Sequence, residues 1–461
     1  MSQPSPSTVA PSSSRLTGSG SLFAARRAAL LARLGAGTVA VIPSARMTIR
    51  NSDVEHDFRQ DSTFFYLTGF EEPDSVLVLR SDADAPATLF VRPRDKAAET
   101  WTGRRAGVAG AVAHFGMDAA FPADQLATEL ARLIDGAERL AFTLGADPDV
   151  QAAVLSAAQR HRDRPRLTIS GPDTLVDLRL FTHDMRLIKS PDELRALRRA
   201  GKITAEGHHE AMRSAAPGVW EYELQAALEY TFRAAGAARV GYSSIVAGGD
   251  NATILHYNTN RMRLPSDGLV LIDAGAEVDY VTADVTRTFP ANGHFSAEQR
   301  AVYEVVLAAE EAAIAACVPG TIYEETHNIA VRVLVEGMVD LGLLTGDVDT
   351  LITEERYKRY YMHRTGHWLG MDVHDVGLYS DLGASRPLVA GMVTTIEPGI
   401  YIGVDDEEAP EAFRGIGVRI EDDIMVTDTT PEILSIDCVK AIDDVEAMVR
   451  DSPRWVRRVT I

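Results

Sequence analysis

A carboxylate at the end of an apolar run is a costly placement, and this sequence makes it more than once. In Leu269-Val270-Leu271-Ile272-Asp273 four apolar residues lead straight into an acid. Such an acid sits at the inner end of a buried strand, where it must be paired, neutralised or metal-bound. Asp284 follows eleven residues later, inside a second β-like stretch from Tyr280 to Thr288. A connection through Gly275 would fold the two strands into a hairpin, so that two hard oxygen ligands face one cavity. The plainer alternative is an Asp273 that caps a turn and an Asp284 paired with Arg287. The run from Val393 to Ile396 ends in Glu397 in the same way, with a Pro398-Gly399 turn directly after it. From Ile416 to Asp423 a period of two puts Ile416, Val418 and Ile420 on one face and Arg419, Glu421 and Asp423 on the other. That alternation predicts Arg419 beside Glu421, and for both strands an ordinary surface salt bridge is the bland alternative.

Three of the chain's twelve histidines, His363, His367 and His374, fall within twelve positions. Two of them stand four apart, as in zinc helices, but Arg364 occupies the place of the zincin glutamate, and Gly366 and Gly370 favour an irregular loop. The zincin reading therefore fails. Taken together the segments offer Asp273, Asp284, Glu397, Glu421 and one histidine. Four carboxylates with a single imidazole suit hard divalent ions, manganese first, with cobalt or zinc able to use the same cage. Two metals roughly 3.5 to 4 Å apart, bridged by shared carboxylates and a hydroxide, would neutralise the acids and supply a nucleophile at neutral pH.

The elements that must hold these residues are readable in outline. At 461 residues and 50.0 kDa, two or three domains are expected. Residues 2 to 14 are rich in Ser and Pro, and the first 52 residues contain six arginines and no acid, which resembles an organelle transit peptide. A simpler reading makes residues 1 to 20 a flexible tail before a helix over Leu22 to Leu34, with a cytoplasmic protein and organelle targeting left open. Short apolar runs at Val39–Ile42, Phe64–Leu67, Ser75–Leu79 and Thr88–Val91, alternating with helical stretches such as Ala123 to Ile134, predict an α/β domain over residues 21 to 184. The Ser190-Pro191-Asp192-Glu193 start signal then opens a second domain, residues 185 to 461. Helices over 190–214 and 221–236 precede strands from Val240 onward, an α+β pattern. The same order returns, with Ala297–Cys317 and Glu324–Leu341 before strands near Thr394 and Ile416, which predicts a two-fold internal repeat.

Composition narrows the function. The chain is 46% hydrophobic and 24% charged, with no apolar run near the roughly 20 residues that cross a bilayer. Cys317 and Cys438, its two cysteines, cannot build a disulfide framework and fit a reducing compartment. Its net charge of −20 divides unevenly. Residues 1 to 185 carry 20 basic and 22 acidic side chains, net −2, against 26 and 44, net −18, for residues 186 to 461. Such a surface argues against nucleic acid and anionic membrane and attracts cations.

The order Asp273, Asp284, His367, Glu397, Glu421 comes embedded in Leu-Ile-Asp-Ala-Gly, Asp-Val-Thr-Arg-Thr-Phe, His-Trp-Leu-Gly-Met-Asp-Val-His-Asp, Ile-Glu-Pro-Gly-Ile-Tyr and Arg-Ile-Glu-Asp-Asp. It resembles the dinuclear pita-bread metallopeptidases, and among them most closely the bacterial-type Xaa-Pro aminopeptidases. The similarity spans about residues 20 to 450, including Phe64 to Phe70 and Trp101-Thr102-Gly103-Arg104-Arg105. It implies an α/β N-terminal domain, a pita-bread catalytic domain, and two divalent metals, most readily Mn²⁺. By this resemblance Asp273 chelates one metal, His367 and Glu397 the other, and Asp284 and Glu421 bridge. A bridging hydroxide attacks the scissile carbonyl and Glu397 handles the proton. His256, His363 and His374 lie near the scissile bond, with His363 lining the proline pocket. Arg419 and Tyr401 orient the ligands, and Asp53 and Trp101 reach the site from the first domain or a neighbouring subunit. The resemblance also implies peptide substrates with proline second and a homodimer or homotetramer. One departure is Arg364-Thr365, where the family more often has a small glycine-rich pair, at the S1′ wall. The nearest rival is a Xaa-Pro dipeptidase, which shares the ligands; Tyr242 and the Trp101 segment favour the aminopeptidase. A metal-free pita-bread binding protein and a creatinase-like amidinohydrolase are the rivals of other kinds, and the intact ligand set speaks against both.

Overall fold

The computed structural model describes residues 20–162 and 171–451, and the chain forms two compact units, Met1–Met185 and Arg186–Ile461. All but Gly20 of the expected tail lies outside the described residues.

The first unit is built on a six-stranded mixed sheet. Its spatial order is Ala119–Pro122, Ala87–Val91, Val76–Arg80, Thr38–Pro43, Arg139–Ala141 and Thr174–Val176. Thr38–Pro43 is buried along nearly its whole length, as its unbroken apolar run requires, and pairs antiparallel with Val76–Arg80 and parallel with Arg139–Ala141. Val39, Val41, Val76, Val78 and Phe90 pack in one cluster with Leu130, Val150 and Val154 from the helices Leu126–Leu133 and Pro148–Arg162, and with Ile134 just after the first of them. Phe64–Leu67, expected as a strand, is instead part of the helix Ser62–Thr68. Asp61 caps its start by accepting from the Phe64 amide at 2.8 Å, and Gly69 ends it in the left-handed region at φ 64°. The helix is buried on every side, so its sequence carries no 3.6-residue polar rhythm to announce it.

The second unit repeats one plan. In its first half the helices Pro191–Ser214 and Glu221–Ala234 pack together, and the strand Leu269–Asp273 lies between Ile245–Gly248 and Thr286–Pro290. In its second half Ala297–Ala315 packs on Tyr323–Asp340, and Val393–Ile396 pairs with Asp422–Met425, beside a second pair, Gly399–Tyr401 with Gly417–Arg419. The Ser190–Glu193 capping box forms as the start signal predicts. A lone bridge between Thr286 and Glu421 ties the two halves at their centre.

The predicted hairpin is corrected in detail. The partner of Leu269–Asp273 starts at Thr286, while Ala276–Val278 and Val281–Thr282 turn back on each other at Asp279 and Tyr280, both with positive φ, and join a separate sheet with Arg239–Val240. Asp284 therefore lies in the segment just ahead of a strand. Gly275 permits this fold-back, because a Cβ there would stand 1.7 Å from the Ala283 carbonyl oxygen. The alternating stretch from Ile416 to Asp423 is likewise two strands, broken at Ile420 and Glu421. Among the described residues no helix is long and apolar enough to cross a membrane.

Candidate active site

A cavity of about 1050 Å³ opens in the second unit. Strand ends and loops deliver its chemistry. Asp273 ends the central strand of the first half, Asp284 precedes that strand's neighbour, and Glu397 follows Val393–Ile396. The loop holding His367 runs along the same strand: the Thr395 amide donates to the His367 carbonyl at 2.9 Å, and the Glu397 amide to that of Thr365 at 2.7 Å. His367 and Glu397 are thereby held side by side, with imidazole Nε2 3.7 Å from Glu397 Oε1 and 3.3 Å from Asp284 Oδ2. Ligand atoms of Asp284, His367 and Glu421 all fall within 4.8 Å of one another.

The candidate ligand atoms are aimed by hydrogen bonds from behind. The Tyr242 hydroxyl reaches Asp273 Oδ1 at 2.6 Å and also touches Asp284 Oδ1, which brings the two carboxylates together. Thr286 Oγ1 donates to Glu421 at 2.6 Å, the Asp284 amide donates to Asp423, and His367 Nδ1 faces the Trp368 carbonyl at 3.1 Å, which directs Nε2 to the acids. Arg419 does not pair with Glu421 as the alternation implied. Its Nη2 donates to Asp273 Oδ2 at 2.6 Å, its Nε to Thr286, and its Nη1 to the Tyr401 hydroxyl at 3.1 Å. Tyr401 in turn meets His363 Nε2 at 2.8 Å, while His363 Nδ1 faces the Arg364 carbonyl at 2.8 Å. Nor does Arg287 serve Asp284. It is buried and binds Asp422 and the Glu421 carbonyl, each at 2.7 Å.

His256 and His374 are exposed and line the cavity, with the His374 ring edge-on to His367 at 4.3 Å between centroids. Burial lowers His374, and the neighbouring His367 adds to this. Burial, followed by Arg419, lowers His363 to about 3, which keeps it neutral. Asp53 and Trp101 belong to the first unit. Asp53 is exposed in the turn between Ile49–Asn51 and Val54–Glu55, and Trp101, on the helix Lys96–Thr102, is 88% exposed.

Within the cluster the protein's own cations are too few. Burial and then the neighbouring acids push Glu421 well above the ordinary range, and burial also raises Asp273 against the pull of Arg419. Glu397 is raised by burial to about 7 although His367 and Arg419 oppose it. Burial opposes charge on His367, but Asp284 and Glu397 outweigh it and raise the imidazole to about 9. Four buried or half-buried carboxylates and an imidazole lining one cavity, with one guanidinium to serve them, fit divalent cations by donor chemistry and by charge.

The second unit matches the model of metallopeptidase family M24 over residues 195–428, and residues 23–142 match the N-terminal domain of aminopeptidase P. The chain belongs to metallopeptidase family M24. With its aminopeptidase-type N-terminal domain it is a metallo-aminopeptidase of pita-bread fold. It is 42% identical to the Xaa-Pro aminopeptidase of Escherichia coli K12 over 93% of this chain and 97% of that protein. Rat Xaa-Pro aminopeptidase 3 is 38% identical over 89% of the chain and 81% of that protein. The structure of Pseudomonas aeruginosa aminopeptidase PepP superposes with a TM-score of 0.92 at 47% identity, covering 93% of this chain and 98% of that one. Escherichia coli aminopeptidase P with the inhibitor Pro-Leu follows the same course, with a TM-score of 0.90, 42% identity and the same two coverages.

Three supporting residues escaped the sequence reading. Asp423 shared the alternating face with Arg419 and Glu421, so its signal was present, and Thr286 stood within a segment already singled out. Glu221 had no such signal. It is buried at the start of a helix and binds the Gly248 and Met262 amides, Asn251 and the Tyr257 hydroxyl, gripping the loop that carries His256.

Proposed function

We propose that this chain is a Xaa-Pro aminopeptidase that releases the N-terminal residue from peptides with proline in second position, using two divalent metal ions. The observation that carries it is the convergence of Asp273, Asp284, His367, Glu397 and Glu421 in one cavity edged by His256, His363 and His374. Relatives 41% and 42% identical over nearly the whole chain carry that activity in their names, so a Xaa-Pro dipeptidase and a metal-free binding protein are not favoured.

Asp273, Asp284, Glu397, Glu421 and His367 Nε2 would hold the ions, and Asp284 and Glu421, which with His367 bring ligand atoms within 4.8 Å of one another, would lie nearest the centre of that donor set. When bound, two such ions supply Lewis acidity and a water activated at neutral pH. Mn²⁺ is the preferred occupant because four of the five donors are carboxylates, with Co²⁺ or Zn²⁺ as alternatives. Glu397 takes the proton of the attacking water and passes it to the leaving proline nitrogen. His256 and His374, both on the cavity wall, hydrogen-bond the substrate around the scissile carbonyl. His363, neutral and fixed through Tyr401 and Arg419, lines the proline pocket. Tyr242 keeps Asp273 and Asp284 at a common distance. Asp53 and Trp101 complete the substrate path in a homodimer or homotetramer, for which an 88% exposed tryptophan is a suitable anchor. Two free, buried cysteines accord with a reducing cytoplasm.

The test is hydrolysis of a panel of Xaa-Pro peptides with and without added Mn²⁺, including a Xaa-Pro dipeptide and a Xaa-Pro-Pro tripeptide. Cleavage of the tripeptide, enhanced by metal, is expected. Cleavage of the dipeptide alone would make the enzyme a dipeptidase instead.

A further inference from the structure

We propose that Arg364 recognises the C-terminal carboxylate of short substrates, so that the enzyme prefers Xaa-Pro-Xaa tripeptides ending in a free acid to the same peptides blocked as amides. This rests on the Xaa-Pro aminopeptidase reading and extends it to the downstream end of the substrate.

Two guanidinium groups line the cavity. That of Arg419 is buried and committed to Asp273, Thr286 and Tyr401. Arg364 stands at the rim with its side chain 60% exposed, and its Nη2 pairs closely with Glu324. An arginine presents five N–H donors in a planar fork, so one carboxylate on Nη2 leaves the other edge for a second. Glu324 is itself held in the first turn of Tyr323–Asp340, where its amide donates to Ser385 Oγ at 3.1 Å. It orients the guanidinium, and an exposed ion pair is too weak to monopolise it.

The backbone beneath is rigid. Thr365 is buried, with its hydroxyl fixed between Tyr361 at 2.6 Å and His327 at 2.8 Å. The Arg364 carbonyl accepts from His363 Nδ1 at 2.8 Å, so the residue that lines the proline pocket and the one that presents the guanidinium are locked together. That puts Arg364 on the leaving-group side of the scissile bond. The residue after proline begins about 3.5 Å beyond it along an extended chain, within reach of a long arginine side chain. The other ionisable residues around the cavity are acids, imidazoles and phenols, so a substrate carboxylate finds its cation at Arg364.

The experiment measures kcat and KM of the metal-loaded full-length enzyme at low ionic strength for one Xaa-Pro-Xaa sequence, as free acid and as C-terminal amide. In the wild type the acid is expected to have the higher kcat/KM by roughly fivefold, carried by KM, the size of a partly exposed charge contact. In Arg364→Gln the acid-to-amide ratio should fall to about one, and Arg364→Lys should keep part of it. A wild-type ratio of one, or a ratio in Arg364→Gln equal to that of the wild type, overturns the proposal. Failure of the wild type to cut either Xaa-Pro peptide would defeat the aminopeptidase reading itself, and this proposal with it.

Discussion

Glu421 and Asp422 are neighbours in the chain and both are buried, yet their carboxyl groups live in opposite electrostatic worlds. Glu421 faces Asp273, Asp284 and Glu397, and is pushed well above the usual carboxylate range by burial and then by those acids. Asp422 points the other way, to Arg287 at 2.7 Å, Lys440 at 2.7 Å and Ser435 at 2.6 Å. Burial opposes its charge, but Arg287 and Lys440 outweigh it and hold Asp422 well below the usual range. Asp375, next to His374, is in the same position as Asp422, between Lys189 at 2.7 Å and Arg186 at 2.5 Å. The difference teaches where the protein supplies its own counter-charges and where it leaves them to be supplied from outside. Buried acids with internal cations are structural. The cluster with a single guanidinium for its four acids is the one that needs ions.

The largest effects should come from the cluster left open. Chelation followed by dialysis is expected to remove nearly all turnover, and added Mn²⁺ to restore it; full turnover in a protein shown by elemental analysis to be metal-free would break the contrast. Glu397→Gln should lower kcat by roughly 10²- to 10⁴-fold, the usual share of a proton-transferring group, with the thermal midpoint little changed. Near-normal kcat would remove Glu397 from that role.

The adjacent pair gives a sharper comparison. Glu421→Gln should lower metal stoichiometry and activity while leaving the metal-free protein at least as resistant to urea as the wild type, because it removes an uncompensated buried acid. Asp422→Asn should do the reverse, costing about 3 to 5 kcal/mol of stability by leaving buried Arg287 without its carboxylate, with the metal count retained at low urea. Equal urea profiles for the two variants would show that the neighbours are not divided as described.

The smallest effect lies in the acid limb of stability. Burial opposes charge on Asp375, but Lys189 and Arg186 outweigh it, so its folded pKa lies below the ordinary value of 3.8. A depressed carboxylate contributes stability above its unfolded pKa and loses it as the pH falls through the folded one. The urea midpoint of the metal-free protein should therefore drop on going from about pH 5 to about pH 3, and the drop should be shallower in Asp375→Asn. An identical slope in the variant would take Asp375 out of the acid response.

Much of the site was legible because acids at the ends of apolar runs are costly wherever the chain goes. Asp273, Glu397 and Glu421 declared themselves in this way, and the histidine cluster marked its loop through glycines at 366 and 370. The helices of the second unit were equally plain, from a capping box at Ser190 and apolar periodicity, with ends within two or three residues of those observed. Phe64–Leu67 was not, because total burial erases the polar face by which a helix is read. The hairpin after Asp273 was misplaced because local turn signals do not say which of two sheets each strand will join.

What the sequence determined by itself was a supply of hard ligands, their order, and the helices and strands that carry them, since propensity, capping and burial cost act over a few residues. Only the tertiary structure decided which charge meets which. Arg287 went to Asp422 instead of Asp284, Arg419 to Asp273 instead of Glu421, and Glu221 to the loop of His256, and each of these contacts joins residues far apart in the chain or on separate elements. Such pairings are set by the packing of sheets and loops, and in a low-dielectric interior they settle which acids stay satisfied and which are left for a metal.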